Sequence, residues 1–250
     1  MRGRPHAKCW AATGVITSFL AAAVVFPACW FTNRARSRAN APRIHSEALR
    51  AAFAQPQTAL KQSRKPLAFT DGVFIRDCSS YLTALRAGST VADTVEAQAV
   101  AYEYLICDGI DALRCAEGLG AGARASGPAR ELANRLDMRH IPSSASPQVD
   151  GSTHTLSQLG DVVEVSETTV ALELEESNLR FAIVAEADVN GDGKTDWIVW
   201  FADEAKGGND RGYVTLLVPS PGEPGLLSAS PWPASGAPPC KALQGPESYR

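Results

Sequence analysis

Several familiar chemistries are missing from this 250-residue chain. It contains no C-x-x-C pair, so neither a zinc knuckle nor a thioredoxin-type redox site is encoded. Neither G-x-S-x-G nor H-E-x-x-H occurs, which removes the hydrolase nucleophile elbow and the helical zinc-protease site. His45, His140 and His154 are scattered, without the sequence partners of a metal or triad constellation. A basic excess is lacking too: 24 Lys and Arg stand against 27 Asp and Glu, a formal charge of −3. That balance argues against nucleic acid as a partner. Charged residues, at 20%, are too few for wholesale disorder, and 45% apolar residues suffice for a core. No internal repeat is present.

Residues 9–31 run for 23 positions without a charge, behind Arg2, Arg4 and Lys8. A membrane-crossing helix needs about 20 apolar residues, and a secretory signal has the same basic start. Residues 1–32 are therefore expected to be a signal-anchor or a signal peptide, with the membrane as a partner through this segment. Residues 33–65 hold eight basic residues and one acid, Glu47. They read as a basic flexible linker with a helix near 46–54. Beyond the apolar run lie Cys78, Cys107, Cys115 and Cys240, an even set that suits an oxidising compartment. The body is accordingly expected in a bacterial-style envelope, periplasmic or extracellular, or secreted.

The fold class expected is α+β, with a helical segment followed by an antiparallel β-meander in one domain over 66–218. Helices are expected over 77–138. Tyr81, Leu82 and Leu85 mark a short one ending at Gly88. Val95, Ala99, Tyr102 and Ile106 share one face of a second, beginning near Asp93. Ile110 and Leu113 mark a third, and Pro128, Leu132 and Leu136 a fourth. An antiparallel pairing of the first two brings Cys78 to Cys107 and leaves Cys115 for Cys240. From Val162 the period becomes two, predicting a sheet over 162–218. Val170, Leu172 and Leu174 alternate with Ala171, Glu173 and Glu175, and 179–187 is a further strand. Trp197 to Ala202 is apolar on both faces, as in a central covered strand. Residues 204–212 read as a polar loop before a strand at 213–218. Eight of the 16 prolines fall in 219–250, which is expected to be an irregular tail.

One motif is specific. Asp188-Val-Asn190-Gly-Asp192-Gly193-Lys194-Thr-Asp196 places oxygen donors at loop positions one, three, five and nine, with glycine at six. A hard cation takes six to eight oxygens, so the chain must wrap tightly and turn its side chains inward. Asp188, Asn190 and Asp192 each offer an oxygen, Lys194 its backbone carbonyl, and Asp196 a direct or water-bridged contact. Calcium is the cofactor expected. Position twelve is Val199, where an EF-hand has a bidentate Glu, and the flanks read as strands. Without that Glu, affinity falls to about 10⁻⁴–10⁻³ M. The segment from 182 to 201 resembles the loops of FG-GAP and VCBS repeats, whose hairpins carry the same ligand pattern before an apolar strand. Asp188, Asn190, Asp192 and Asp196 fall on that family's ligand positions. With one copy present, the resemblance does not imply a propeller.

Other signals lead elsewhere. Gly193-Lys194-Thr195 lacks the earlier glycine of a phosphate loop and stands among acids. Gly118-Leu-Gly120-Ala-Gly122-Ala123 follows a helix, where a dinucleotide fingerprint follows a strand. Glu173, Glu175 and Glu176 read as a solvated strand face, and Trp197 and Trp200 as core. The function expected is binding or scaffolding, without catalysis, toward a protein partner in the envelope. The contact surface expected combines the calcium loop with the loop at 204–211. An enzyme inhibitor or immunity-type protein and a metal-dependent envelope hydrolase are the alternatives. Charge is segregated along the chain: +10 over residues 1–65 and −13 over 66–250.

Overall fold

The computed structural model describes residues 41–121 and 127–233. Strand β1 (Arg43–Ile44) leads into helices α1 (Glu47–Ala54) and α2 (Pro56–Lys61). A small hairpin follows, β2 (Leu67–Ala68) and β3 (Phe74–Ile75), then α3 (Cys78–Arg86), α4 (Val95–Ala101) and α5 (Leu105–Cys115). Helices α6 (Pro128–Arg135) and α7 (Leu156–Leu159) precede a run of strands. These are β4 (Val162–Ser166), β5 (Thr169–Glu173), β6 (Ser177–Ala187), β7 (Asp196–Ala205), β8 (Arg211–Val218) and β9 (Ser230–Trp232). They form a sheet in sequential order from β4 to β9, all antiparallel, with β1 pairing alongside β6. The α+β class and the meander are as the hydrophobic periods imply, because short connections allow only antiparallel neighbours.

Both faces of the sheet are covered. One core joins residues of α1 to α5, such as Leu49, Tyr104 and Ile110, to Val184, Ala185, Ile198 and Leu217 of the sheet. The other joins Leu132 and Leu136 to Phe181, Val199, Phe201 and Leu216. Strand β7 serves both by strict alternation: Trp197, Val199 and Phe201 face the second core, Ile198 and Trp200 the first. Strand β6 does so by a register shift between Ile183 and Ala185. Leu179, Phe181 and Ile183 face the second core, and after the extra residue Ala185 and Ala187 face the first. The stacked rings of Phe181 and Phe201, 4.4 Å between centroids, mark the centre of the second core.

Several expectations need correction. The signal-anchor does not stand: no helix among the described residues is long and apolar enough to cross a membrane. Residues 1–32, on which that expectation falls, lie outside the described residues. The signal peptide, the membrane as partner and the membrane-anchored location rested on that segment and are withdrawn with it, and nothing among the described residues supports the expected envelope protein partner. The linker expected over 33–65 is folded from residue 43 onward. Ser46 caps α1 by accepting from the Leu49 N–H, and Leu49, Ala59 and Leu60 are buried.

The helix expected from Asp93 is capped by Thr94 instead and breaks at a 3₁₀ turn, Tyr102–Tyr104. Its expected inner face is the outer one: Val95 and Tyr102 are about half exposed, whereas Ala97 and Tyr104 are buried. The tail expected from 219 contains β9 and the buried Leu227, and residues 234–250 lie outside the described residues. Cys78 and Cys107 form the expected disulfide. Cys115 is disulfide-bonded as well, and Cys240, its expected partner, lies outside the described residues.

Candidate metal loop

The loop between β6 and β7 is wound on its own backbone. Asp188 closes β6 and is buried; its Oδ1 accepts from the Gly191 N–H and its Oδ2 from the Gly193 N–H, both at 2.9 Å. Asn190 Oδ1 accepts from the Asp192 N–H at 2.9 Å, and Asp192 Oδ1 from the Lys194 N–H at 2.7 Å. Asn190 Nδ2 donates to Asp192 Oδ2 at 3.3 Å. Gly191 and Gly193 hold φ of +75° and +83°, a region that a residue with a Cβ resists. The glycine expected at loop position six is therefore required by the bend.

Asp196 opens β7 with no exposed surface. Its Oδ2 accepts from the Val189 and Asn190 N–H groups at 2.9 and 3.3 Å, and its Oδ1 from the Ser220 N–H at 3.1 Å. Burial raises its pKa, the three backbone bonds lower it, and the charge of Asp192 adds to the rise. Asp196 thus ties the two ends of the loop to each other and to the β8–β9 connection.

Two remote segments close over the loop. Residues 117–121, leaving α5, run beside it as a strap: Glu117 N–H donates to the Asp188 carbonyl and Asp188 N–H to the Gly118 carbonyl. Ala121 N–H donates to the Gly193 carbonyl, Thr195 N–H to the Ala121 carbonyl, and Thr195 Oγ1 to the Gly120 carbonyl. Gly120 lies so close that a Cβ there would stand 2.1 Å from the Lys194 carbonyl carbon and 2.2 Å from its oxygen. On the other side, Ser220 Oγ approaches Asp192 Oδ2 at 3.5 Å and Glu223 pairs with Lys194. Arg135 at the end of α6 donates to the carbonyls of Pro221, Glu223 and Gly225 and so anchors that connection. Sequence reasoning missed Gly120, Ser220 and Arg135. The glycine-rich run at 118–123 was the available signal, and its cause at Gly120 is close approach between two peptides.

The donor set can be tested against a cation. Among the described residues, no three His, Cys, Asp or Glu side chains form a metal cluster by themselves. The loop instead offers a mixed set in which every donor is a hard oxygen, two of them from Asn190 and the Lys194 carbonyl. Asp188 spends two of about four acceptor sites on backbone N–H groups, and each of its oxygens keeps capacity for an ion. Such a set fits calcium and would suit zinc poorly.

Comparison with known proteins adds one result. Residues 182–217 match the FG-GAP repeat. The matched stretch runs from within β6 through β7 to the end of β8, so the FG-GAP-like segment is the centre of the sheet and carries a calcium-binding loop of that type. No curated protein and no solved structure matches the chain. Around the FG-GAP-like segment, helices cover both sheet faces, an arrangement unlike a propeller blade.

The contact surface expected from two loops is not formed. The metal loop enters β7 and the loop at 206–210 leaves it, so they stand at opposite ends of a ten-residue strand, roughly 33 Å apart. What adjoins the metal loop is a cavity of about 310 Å³ lined by Gly120, Lys194, Trp197, Ser220 and Glu223, with the Arg43–Glu186 pair at its edge. His140 and His154 do not line it. His45 bonds Glu186 at 2.8 Å, so it is not the isolated surface residue expected. Glu173 pairs with Lys206 on the solvated side, and Trp197 is buried in the core.

Proposed function

We propose that the chain is a calcium-stabilised binding or scaffolding domain in which the ion locks three distant segments into one seam. Asp188, Asn190, Asp192 and the Lys194 carbonyl would hold the ion, with Asp196 contributing through its remaining lone pair or a bridging water. When bound, calcium neutralises the converging acids of the loop. The observation that carries this reading is the position of the FG-GAP-like loop. Among the donors that match the calcium pattern, Asp188 exchanges backbone bonds with the 117–121 strap and Asp196 accepts from the Ser220 N–H, while the strap's remaining bonds reach Gly193 and Thr195 of the same loop. An ion that stiffens the loop therefore stiffens the joint between the helical layer, the sheet and the β8–β9 connection.

Thermal unfolding with and without calcium tests it. At 10 mM calcium and a Kd of about 10⁻⁴–10⁻³ M, linkage adds about 1.4–2.7 kcal/mol. For a domain of this size that raises Tm by roughly 3–10 °C over a chelated sample. Asp192→Ala loses the rise. An unchanged Tm in the parent protein, or an equal rise in Asp192→Ala, refutes the reading.

A further inference from the structure

Of the six asparagines in the chain, Asn190 alone is followed by glycine. The pairing matters because the amide nitrogen of one residue can close on the side-chain carbonyl carbon of an asparagine before it. A glycine has no Cβ to hinder that approach, and asparagine is among the thermolabile residues. Asn190 and Gly191 are both exposed in the loop, so water and hydroxide reach them.

The closed loop opposes this reaction at both reacting groups. The nucleophile, the Gly191 N–H, is donated to Asp188 Oδ1 at 2.9 Å. The electrophile, the Asn190 side chain, is turned toward Asp192: its Oδ1 accepts from the Asp192 N–H at 2.9 Å, and its Nδ2 donates to Asp192 Oδ2 at 3.3 Å. Asp188 is only 5% exposed, and its second oxygen takes the Gly193 N–H at 2.9 Å, so its grip spans the whole turn. Asp192 also precedes a glycine, but an ionised carboxylate is a poor electrophile, which leaves Asn190 as the reactive position.

We propose that Asn190 is a site of spontaneous deamidation, held in check by the bonds of the closed loop and released when the loop opens. Local opening frees the Gly191 N–H. Hydroxide takes its proton, the nitrogen bonds to Asn190 Cγ, and the Cγ–Nδ2 bond breaks, ammonia leaving with a proton from water. A second water then opens the succinimide. Cleavage between the ring nitrogen and Cγ leaves an aspartate, which the calcium pattern accepts at loop position three. Cleavage at the backbone carbonyl leaves an isoaspartate, which lengthens the main chain by one carbon and carries Gly191 away from Asp188. The change is one-way, so the loop registers the time it has spent open, with or without an ion.

Ageing the full chain in mildly alkaline buffer with a chelator, beside a synthetic peptide of residues 181–194, tests this. Tryptic mass mapping, with fragmentation that separates aspartate from isoaspartate, reads both. Acid is expected to replace amide at Asn190 in each, about tenfold or more slowly in the folded chain, the factor set by one hydrogen bond to a carboxylate. Asn190→Gln removes the change. Asp188→Ala, its fold checked by circular dichroism, moves the rate toward that of the peptide; if this variant unfolds, the comparison of chain with peptide decides. Equal rates in chain and peptide, conversion confined to other asparagines, or a folded Asp188→Ala protein ageing at the parent rate overturns the proposal. A suppressed rate that is the same with and without added calcium counts against the ion and supports the grip of Asp188.

Discussion

Asp108 and Asp137 are two buried carboxyls that the fold drives in opposite directions. Desolvation inside the first core raises Asp108 well above the carboxylate range, although Thr215 and Tyr81 partly oppose this. Hydrogen bonds from Arg139 bring Asp137 down to about 2. The raised group favours the folded state below its unfolded pKa and loses that contribution as pH climbs toward its folded value. The lowered group contributes above its unfolded pKa and loses it as pH falls toward 2. Asp108→Asn is therefore expected to abolish a decline in stability that sets in as pH rises above about 4. Asp137→Asn is expected to cost about 1 kcal/mol at neutral pH, because Arg139 is 41% exposed and solvent screens the pair. That cost should vanish near pH 2. Denaturant titrations across this range check both. Neither residue stood out in the sequence. The environment of Asp108 comes from elements folded over it, whereas Asp188 to Asp196 were legible because a metal loop writes its donors at fixed local spacing.

At the scale of elements, the strap from α5 is the joint on which the metal loop rests. Gly120→Ala is expected to force the Lys194–Thr195 peptide away, since its Cβ would fall 2.1 Å from backbone that cannot step aside. The expected outcome is a loss of at least 2 kcal/mol, as for other forced overpacking, with calcium affinity weakened in parallel. Gly151→Ala, where no atom lies within 4 Å, is the control. Calorimetry of unfolding and of calcium binding reads both effects.

The elements also show where periodicity informs and where it misleads. Strand β5 was readable from its alternation and β7 from a run apolar on both faces, because both patterns follow directly from which faces a strand buries. Helix α4 is seven residues long, and the turn at Tyr102–Tyr104 shifts its phase relative to α5, so a single stripe drawn through both chose the exposed side. Strand β9 was hidden by Pro231, which a sheet tolerates at an edge where no donor is needed.

For the whole molecule, the Cys78–Cys107 bridge spans 29 residues and ties the start of α3 to the first turn of α5. Closing a loop of that length restrains the unfolded chain by roughly 3–4 kcal/mol. Cys78→Ala with Cys107→Ala is expected to lose about that much and to unfold in one transition, measured by circular dichroism and tryptophan fluorescence together. The pairing was expected with Cys107 at the end of the second helix; it forms with Cys107 in the first turn of α5, beyond the 3₁₀ turn. The two-sided sheet was only half legible, because a doubly apolar strand shows that both faces are covered without showing what covers them.

The register shift in β6 has a consequence for how the protein comes apart. One extra residue makes a single strand finish one core and begin the other. Stripping either helical layer exposes part of the same hairpin that the opposite layer needs, so neither can peel away as an independent unit. The two layers share one fate: the hairpin couples their loss into one cooperative event, and a ligand gripping its tip resists the unfolding of both.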